Sequence, residues 1–140
     1  MKSLYDRQTI QQLIPQRPPI VEIDDFYGIE ASQALCGLSV RADNLLVQDD
    51  FLSEAGVLEH MAQSAAARAG YIAVSRHEVV RLGFIGSVNN ASFVRLPHIG
   101  EHITTTVEVL ETVMNIALIA VTSRVKGELI AECRMKIFTE

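Results

Sequence analysis

Ala55-Gly56-Val57-Leu58-Glu59-His60-Met61-Ala62-Gln63-Ser64-Ala65-Ala66-Ala67-Arg68-Ala69-Gly70-Tyr71-Ile72-Ala73-Val74 is the stretch on which the fold turns. It is dominated by alanine and carries no proline. Asp49-Asp50-Phe51-Leu52-Ser53-Glu54 precedes it, a polar lead-in with acceptors suited to a helix start. At roughly 100° per residue, Leu58, Met61, Ala62, Ala65, Ala69, Ile72 and Ala73 share one broad face. Glu59, His60, Gln63, Ser64, Arg68 and Tyr71 fall on the other. Small residues dominate the apolar side, so something packs close against it. The spacing predicts one long central helix over 55–74, wrapped by a sheet.

Outward from that helix the period changes to two. Extended segments are predicted at 80–88, 91–96, 102–113, 116–125 and 128–138. In the last, Leu129, Ala131, Cys133, Met135 and Ile137 alternate with Glu132, Arg134 and Lys136, the pattern of a half-buried strand. Lys126-Gly127 makes a tight connection between the final pair, and Pro97 with Gly100 makes an earlier turn. Upstream, 6–14 reads as a short helix ended by Pro15, 20–27 as a strand, Gly28 as a turn and 31–40 as a second strand. Strands and helices do not alternate regularly, which argues against a doubly wound parallel sheet. The order fits an α+β hotdog arrangement, one antiparallel sheet curled around a long central helix, in one domain over 1–140.

Composition narrows the function classes. The formal charge of −5 argues against nucleic acid, for which a basic footprint is expected. The opening Met1-Lys2-Ser3-Leu4-Tyr5-Asp6-Arg7 lacks a signal peptide's apolar core. No uncharged apolar run is long enough to span a membrane, so a soluble, cytoplasmic protein is expected. Cys36 and Cys133 lie in strand-like segments without partners at short spacing and read as buried free thiols. No spacing among the four histidines resembles a metal site.

Three stretches resemble the 3-hydroxyacyl-acyl-carrier-protein dehydratase family, which has the hotdog fold. Ile14-Pro15-Gln16-Arg17-Pro18-Pro19-Ile20-Val21-Glu22-Ile23-Asp24 is similar to the family's Leu-Pro-His-Arg-x-Pro and the apolar run ending in Asp. Gly56-Val57-Leu58-Glu59-His60-Met61-Ala62-Gln63 is similar to its Gly-Val-Leu followed by Glu-x-Met-Ala-Gln. Gly83-Phe84-Ile85-Gly86-Ser87-Val88, continuing through Phe93 and Pro97 to Gly100-Glu101, is similar to its Gly-x-x-x-Val-x-Phe and Pro-Gly-Asp strand pair.

The resemblance implies a dimer whose sheets join, with active sites at the interface. In the family a histidine of one subunit takes the C2 proton of the acyl chain. A carboxylate on the partner's central helix deals with the departing 3-hydroxyl, and the helix amino end polarises the thioester carbonyl. Glu59 matches the carboxylate, and the Gly56 amide matches the polarising position. The histidine of the family's Gly-His-Phe-Pro run is missing. Phe51 matches its phenylalanine, which puts Asp50 where the histidine stands. The shortened approach to the helix resembles a divergent branch found with aryl-polyene pigment pathways.

These residues carry open alternatives at this level. Glu59 reads as a dipole-stabilised helix-start carboxylate or as a general acid. Gln63, one turn on, orients that carboxylate or satisfies a buried backbone group. His60 reads as a surface or interface histidine, or as a relocated base. Asp50 reads as a turn or capping residue, or as the base. His77, His98 and His102 read as solvated. The expected partners are acyl carrier protein and a second copy, or a histidine-bearing dehydratase homologue, in a homodimer, heterodimer or higher oligomer. No cofactor is expected, the substrate being carried on the carrier's phosphopantetheine. Arg68, Arg76, Arg81, Arg95 and Lys126 are candidates for the basic patch that an acidic carrier wants. Three functions compete: a dehydratase making a trans-2-enoyl thioester for fatty acid or polyene synthesis, a hotdog acyl-thioesterase, and a non-catalytic acyl-binding subunit of a heteromeric dehydratase.

Overall fold

The computed structural model of the chain describes residues 2–139. Its centre is helix α1 (Glu54–Ser75), which begins where Ser53 turns its hydroxyl back to accept the Gly56 N–H at 3.1 Å. Ser53 is thus the cap, satisfying one donor that the first turn leaves without a partner. Asp49 and Asp50 instead form the two-residue turn of a small hairpin, β3 (Val47–Gln48) and β4 (Phe51–Leu52). Both have positive φ, 51° and 69°, the left-handed conformation that such a turn requires.

Around α1 curls a six-stranded antiparallel sheet. Its strands are β1 (Asp25–Glu30), β2 (Gln33–Ser39), β5 (Gly83–Phe93), β6 (His102–Val113), β7 (Ile116–Val125) and β8 (Glu128–Thr139), in the order β1-β2-β6-β7-β8-β5. This is the hotdog architecture expected from the pattern of elements. The Lys126-Gly127 turn joins β7 to β8 with φ of 51° and 81°. The core gathers Phe26, Ile103, Val107, Val121, Ile130 and Met135 of the sheet against Val57, Met61 and Ala67 of α1. Cys36 and Cys133 are buried free thiols within it. No helix among the described residues is long and apolar enough to cross a membrane.

Three local expectations are corrected. The segment 6–14 forms only a 3-10 turn, Ile10–Gln12: Asp6 Oδ1 accepts the Gln8 and Thr9 N–H in a separate turn before it, and Pro15 follows soon after it. The chain over 20–24 is not a strand; Ile20 and Glu22 spend backbone groups on α1 side chains, and β1 starts at Asp25. The segments 80–88 and 91–96 are largely one strand, β5, whose register against β8 slips at Ile85/Ser87 and Asn89/Ser92. The second of these falls where the sequence looked broken, between 88 and 91. β5 is an edge strand with Phe84, Ile85 and Val88 exposed.

The helix is also turned differently from its hydrophobic pattern. His60, Gln63 and Ser64, placed by periodicity on the polar side, are fully buried. Each finds partners inside, which removes the penalty that normally keeps polar groups out. Gly70 belongs to the same buried side, where any Cβ would run into the backbone carbonyl of Leu13. Ala62, Ala65 and Ala66 are only half-buried.

Candidate active site

Those alanines face a cavity of about 510 Å³ between α1 and the sheet. Its helix wall is Glu59, Ala62, Ala65, Ala66, Arg68 and Ala69. Its sheet wall is largely apolar, with Phe84 and Ile85 of β5, Val107 and Val109 of β6, Ile119 of β7 and Ile137 of β8 beside Thr112 and Thr139. Short helix side chains open the space, and the longer sheet side chains line it. Such a wall suits an apolar ligand.

Among the described residues Glu59 is the cavity's only carboxylate, half-buried at its helix wall. Gln63, one turn later, donates from Nε2 to Glu59 Oε2 at 2.8 Å. The same nitrogen donates to the Ile20 carbonyl at 2.8 Å, and Gln63 Oε1 accepts the Glu22 N–H at 2.6 Å. Gln63 therefore does both things that its sequence context left open.

His60 points away from the cavity. Nδ1 meets the Glu22 carbonyl at 2.7 Å, and Nε2 meets Thr105 Oγ1 at 2.8 Å. A carbonyl only accepts, so Nδ1 carries the hydrogen and Nε2 accepts from Thr105, whose oxygen in turn accepts from Ser123 at 2.6 Å. Burial pushes the imidazole down to about 4, so it stays neutral. The expectation of a surface or interface histidine is corrected: His60 is a core residue with no nitrogen left for a substrate.

The structure does not bring the remaining sequence candidates to Glu59's cavity. Asp50 sits exposed at the hairpin tip. Gly56 is buried, and its N–H is taken up by Ser53. His98 is exposed and packs edge-on against Phe51, with ring centroids 5.0 Å apart. His102 is not solvated as expected: it is half-buried, bonded to Tyr27 Oη at 3.0 Å and Ser39 Oγ at 2.9 Å. No histidine lines the cavity among the described residues.

Two features escaped the sequence reading. Arg68 and Arg81, considered only as docking charges, line the cavity. Glu22 is 1% exposed, and its backbone bonds the side chains of both Gln63 and His60. Its signal was available, a carboxylate interrupting the apolar run Ile20-Val21-Glu22-Ile23.

A family model described as ApeP dehydratase, ApeP-like, matches residues 8–140. The chain belongs to the ApeP-like dehydratase family. No curated protein matches the sequence. Among solved structures, this ApeP-like chain is similar to one titled the dehydratase heterocomplex ApeI:P from Xenorhabdus doucetiae. The TM-score is 0.80 at 16% identity, over 94% of this chain and 90% of that one. A hypothetical thioesterase with coenzyme A from Streptococcus pneumoniae TIGR4 gives 0.66 at 8% identity, over 83% and 84%. The PaaI protein of the phenylacetic acid degradation operon of E. coli gives 0.63 at 14% identity, over 81% of each chain. These likenesses establish the hotdog fold of the ApeP-like chain and leave its chemistry to the site.

Proposed function

We propose that this chain is the acid-bearing subunit of a heteromeric 3-hydroxyacyl-thioester dehydratase. The observation that carries the reading is an acyl-sized cavity whose wall, among the described residues, holds one oriented carboxylate, Glu59, and no histidine. In the reaction a histidine of the second subunit takes the C2 proton. Glu59 donates its proton to the departing 3-hydroxyl, the C3–O bond breaks, and water and a trans-2-enoyl thioester leave. The proton on the partner's imidazole then restores Glu59 through solvent.

The second subunit is a histidine-bearing hotdog chain that adds its own edge strand to β5, where Phe84, Ile85 and Val88 await cover. The likeness to a structure titled a dehydratase heterocomplex supports this. The acyl group is carried on the phosphopantetheine of acyl carrier protein in fatty acid or aryl-polyene synthesis. Arg68 and Arg81 at the cavity place positive charge where an acidic carrier would approach.

A thioesterase in which Glu59 activates water is the second reading, favoured by the likeness to a structure titled a thioesterase. Assaying the chain alone, a histidine-bearing homologue alone and their mixture on 3-hydroxyacyl and plain acyl thioesters separates the readings. Water loss that rises in the mixture supports the dehydratase subunit. Thiol release by the isolated chain supports the thioesterase and sinks the first reading, as does full dehydration by the chain alone.

A further inference from the structure

The segment before β1 and the loop after β2 line a second cleft, of about 230 Å³, which shares no lining residue with Glu59's cavity. Pro18, Pro19, Val21 and Leu38 give it an apolar wall. Three carboxylates and two guanidiniums line the rest, and both guanidiniums are spent on one carboxylate. Asp24 meets Arg41 at 3.2 Å and Arg7 at 3.8 Å. Glu22 and Asp43 are left without an ion-pair partner among the described residues.

Glu22 stands in an otherwise apolar run, yet it is 1% exposed. Asn44 Nδ2 donates to Oε1 at 2.7 Å, and that amide is fixed because its Oδ1 accepts the Leu46 N–H at 2.8 Å. Oε2 has no hydrogen-bond partner among the described residues. A proton on Oε2 would remove the charge but leave a hydroxyl equally without a partner, so protonation alone does not satisfy the group. A donor that carries positive charge does both. Glutamate's terminal torsion is soft, so Oε2 can turn to a ligand in the cleft that its side chain lines.

The lining narrows the donor further. No group of three acidic, histidine or cysteine side chains that could hold a metal ion occurs among the described residues. A primary ammonium brings three N–H donors, which match Glu22 Oε2, the Asp43 carboxylate and the side-chain carbonyl of Gln11, also at the cleft. Its methylenes have the proline and aliphatic wall to lie on, and the volume is several times the roughly 30 Å³ share of one water. We propose that this cleft binds a primary alkylammonium group, with Glu22 and Asp43 pairing with the charge and Pro18-Pro19 covering the methylenes. Burial pushes the Glu22 carboxyl up to about 7, opposed by the Asn44 bond and helped by the charges of Glu59 and Asp24. The ammonium and a proton therefore compete for the same oxygen.

The probe is n-butylammonium chloride, titrated into the full chain and followed by amide NMR. Saturable shifts are expected at Gln11, Glu22, Asp43 and Asn44, with a dissociation constant on the order of 1 mM. Because Glu22 must give up its proton, binding should weaken about tenfold from about pH 8 to about pH 6. Glu22→Gln, which keeps an acceptor for Asn44, should lose at least about tenfold in affinity and the pH dependence with it. Asp43→Asn should lose severalfold. Tetramethylammonium, a charge without N–H donors, should give no saturable shift. Nα-acetyl-lysinamide reads the source of the ammonium: binding as tight as butylammonium assigns it to a lysine of another protein, and much weaker binding assigns it to a free amine. Either upholds the site. The proposal is overturned if saturable shifts are absent, if tetramethylammonium reproduces them, if binding strengthens as pH falls, or if Glu22→Gln leaves the affinity unchanged. Should that variant fail to fold, unchanged affinity in Asp43→Asn, a change at an exposed residue, overturns it instead.

Discussion

The side-chain carbonyl of Gln63 accepts the backbone N–H of Glu22 at 2.6 Å, and this contact decides how Glu59 is held. With Oε1 occupied, the Gln63 amide cannot flip, so its nitrogen faces Glu59 Oε2 and the Ile20 carbonyl. One glutamine thereby ties the N-terminal segment to the helix and orients the proposed acid.

Gln63→Leu should expose that double role. It leaves the Glu22 N–H and Ile20 carbonyl without their partner, at about 1–3 kcal/mol for each buried group left unsatisfied. Thermal unfolding should fall by several degrees, and kcat should fall with it as Glu59 loses its orientation. A variant as stable as wild type would show that the contact contributes little.

Glu59→Gln should keep the fold and the heteromer, since Gln63 can still meet an amide oxygen. Dehydration by the mixed complex should drop by roughly 10²–10⁴-fold, the scale of lost general acid catalysis. Wild-type turnover in this variant would return Glu59 to a structural role.

Stability should vary little between about pH 4.5 and 6.5, because two buried groups oppose each other there. His60 titrates near 4 folded against 6.5 in the ordinary state, so its contribution is lost as pH falls through that window. Glu22 titrates near 7 against 4.5, so its contribution is present at low pH and lost as pH rises. Glu22→Gln removes only the second. Urea unfolding of that variant should then show stability rising with pH from 4 to 6.5, and a flat profile would contradict the assignment.

Ala65→Phe places a ring in the cavity from the helix wall without touching Glu59. The kcat/KM for long 3-hydroxyacyl thioesters should fall at least about tenfold, with short ones spared, since a filled pocket discriminates by the methylenes it excludes. Equal losses for all chain lengths would place the acyl chain elsewhere.

Val88→Lys puts a charge on the exposed edge strand β5. Charged side chains on an edge block strand addition. The isolated chain should melt as before, and co-elution with the histidine-bearing subunit should be lost. Undiminished heteromer formation would move the interface away from β5.

Much of the architecture was written locally. Strand periods of two, the Lys126-Gly127 turn and an alanine-rich helix are short-range patterns, and they placed the sheet and α1 almost as found. Glu59 and Gln63 were legible as a spacing, one helical turn apart, inside a motif. By contrast, the break suggested near Asn89-Asn90 was a bulge, because pairing with β8 carries β5 across it.

What only the tertiary structure decided is which polar groups find partners. Hydrophobic periodicity sends His60, Gln63 and Ser64 to the outside, and it is right whenever nothing inside can bond them. Thr105 and Ser123, far along the chain on β6 and β7, make His60 a core residue, and the Glu22 backbone does the same for Gln63. The sequence by itself determined the sheet, the helix and the carboxylate on it. The inward turn of His60, the absence of histidine from the cavity among the described residues and the bridge that Gln63 makes between the Glu22 backbone and Glu59 came from contacts between distant segments, which no local pattern encodes.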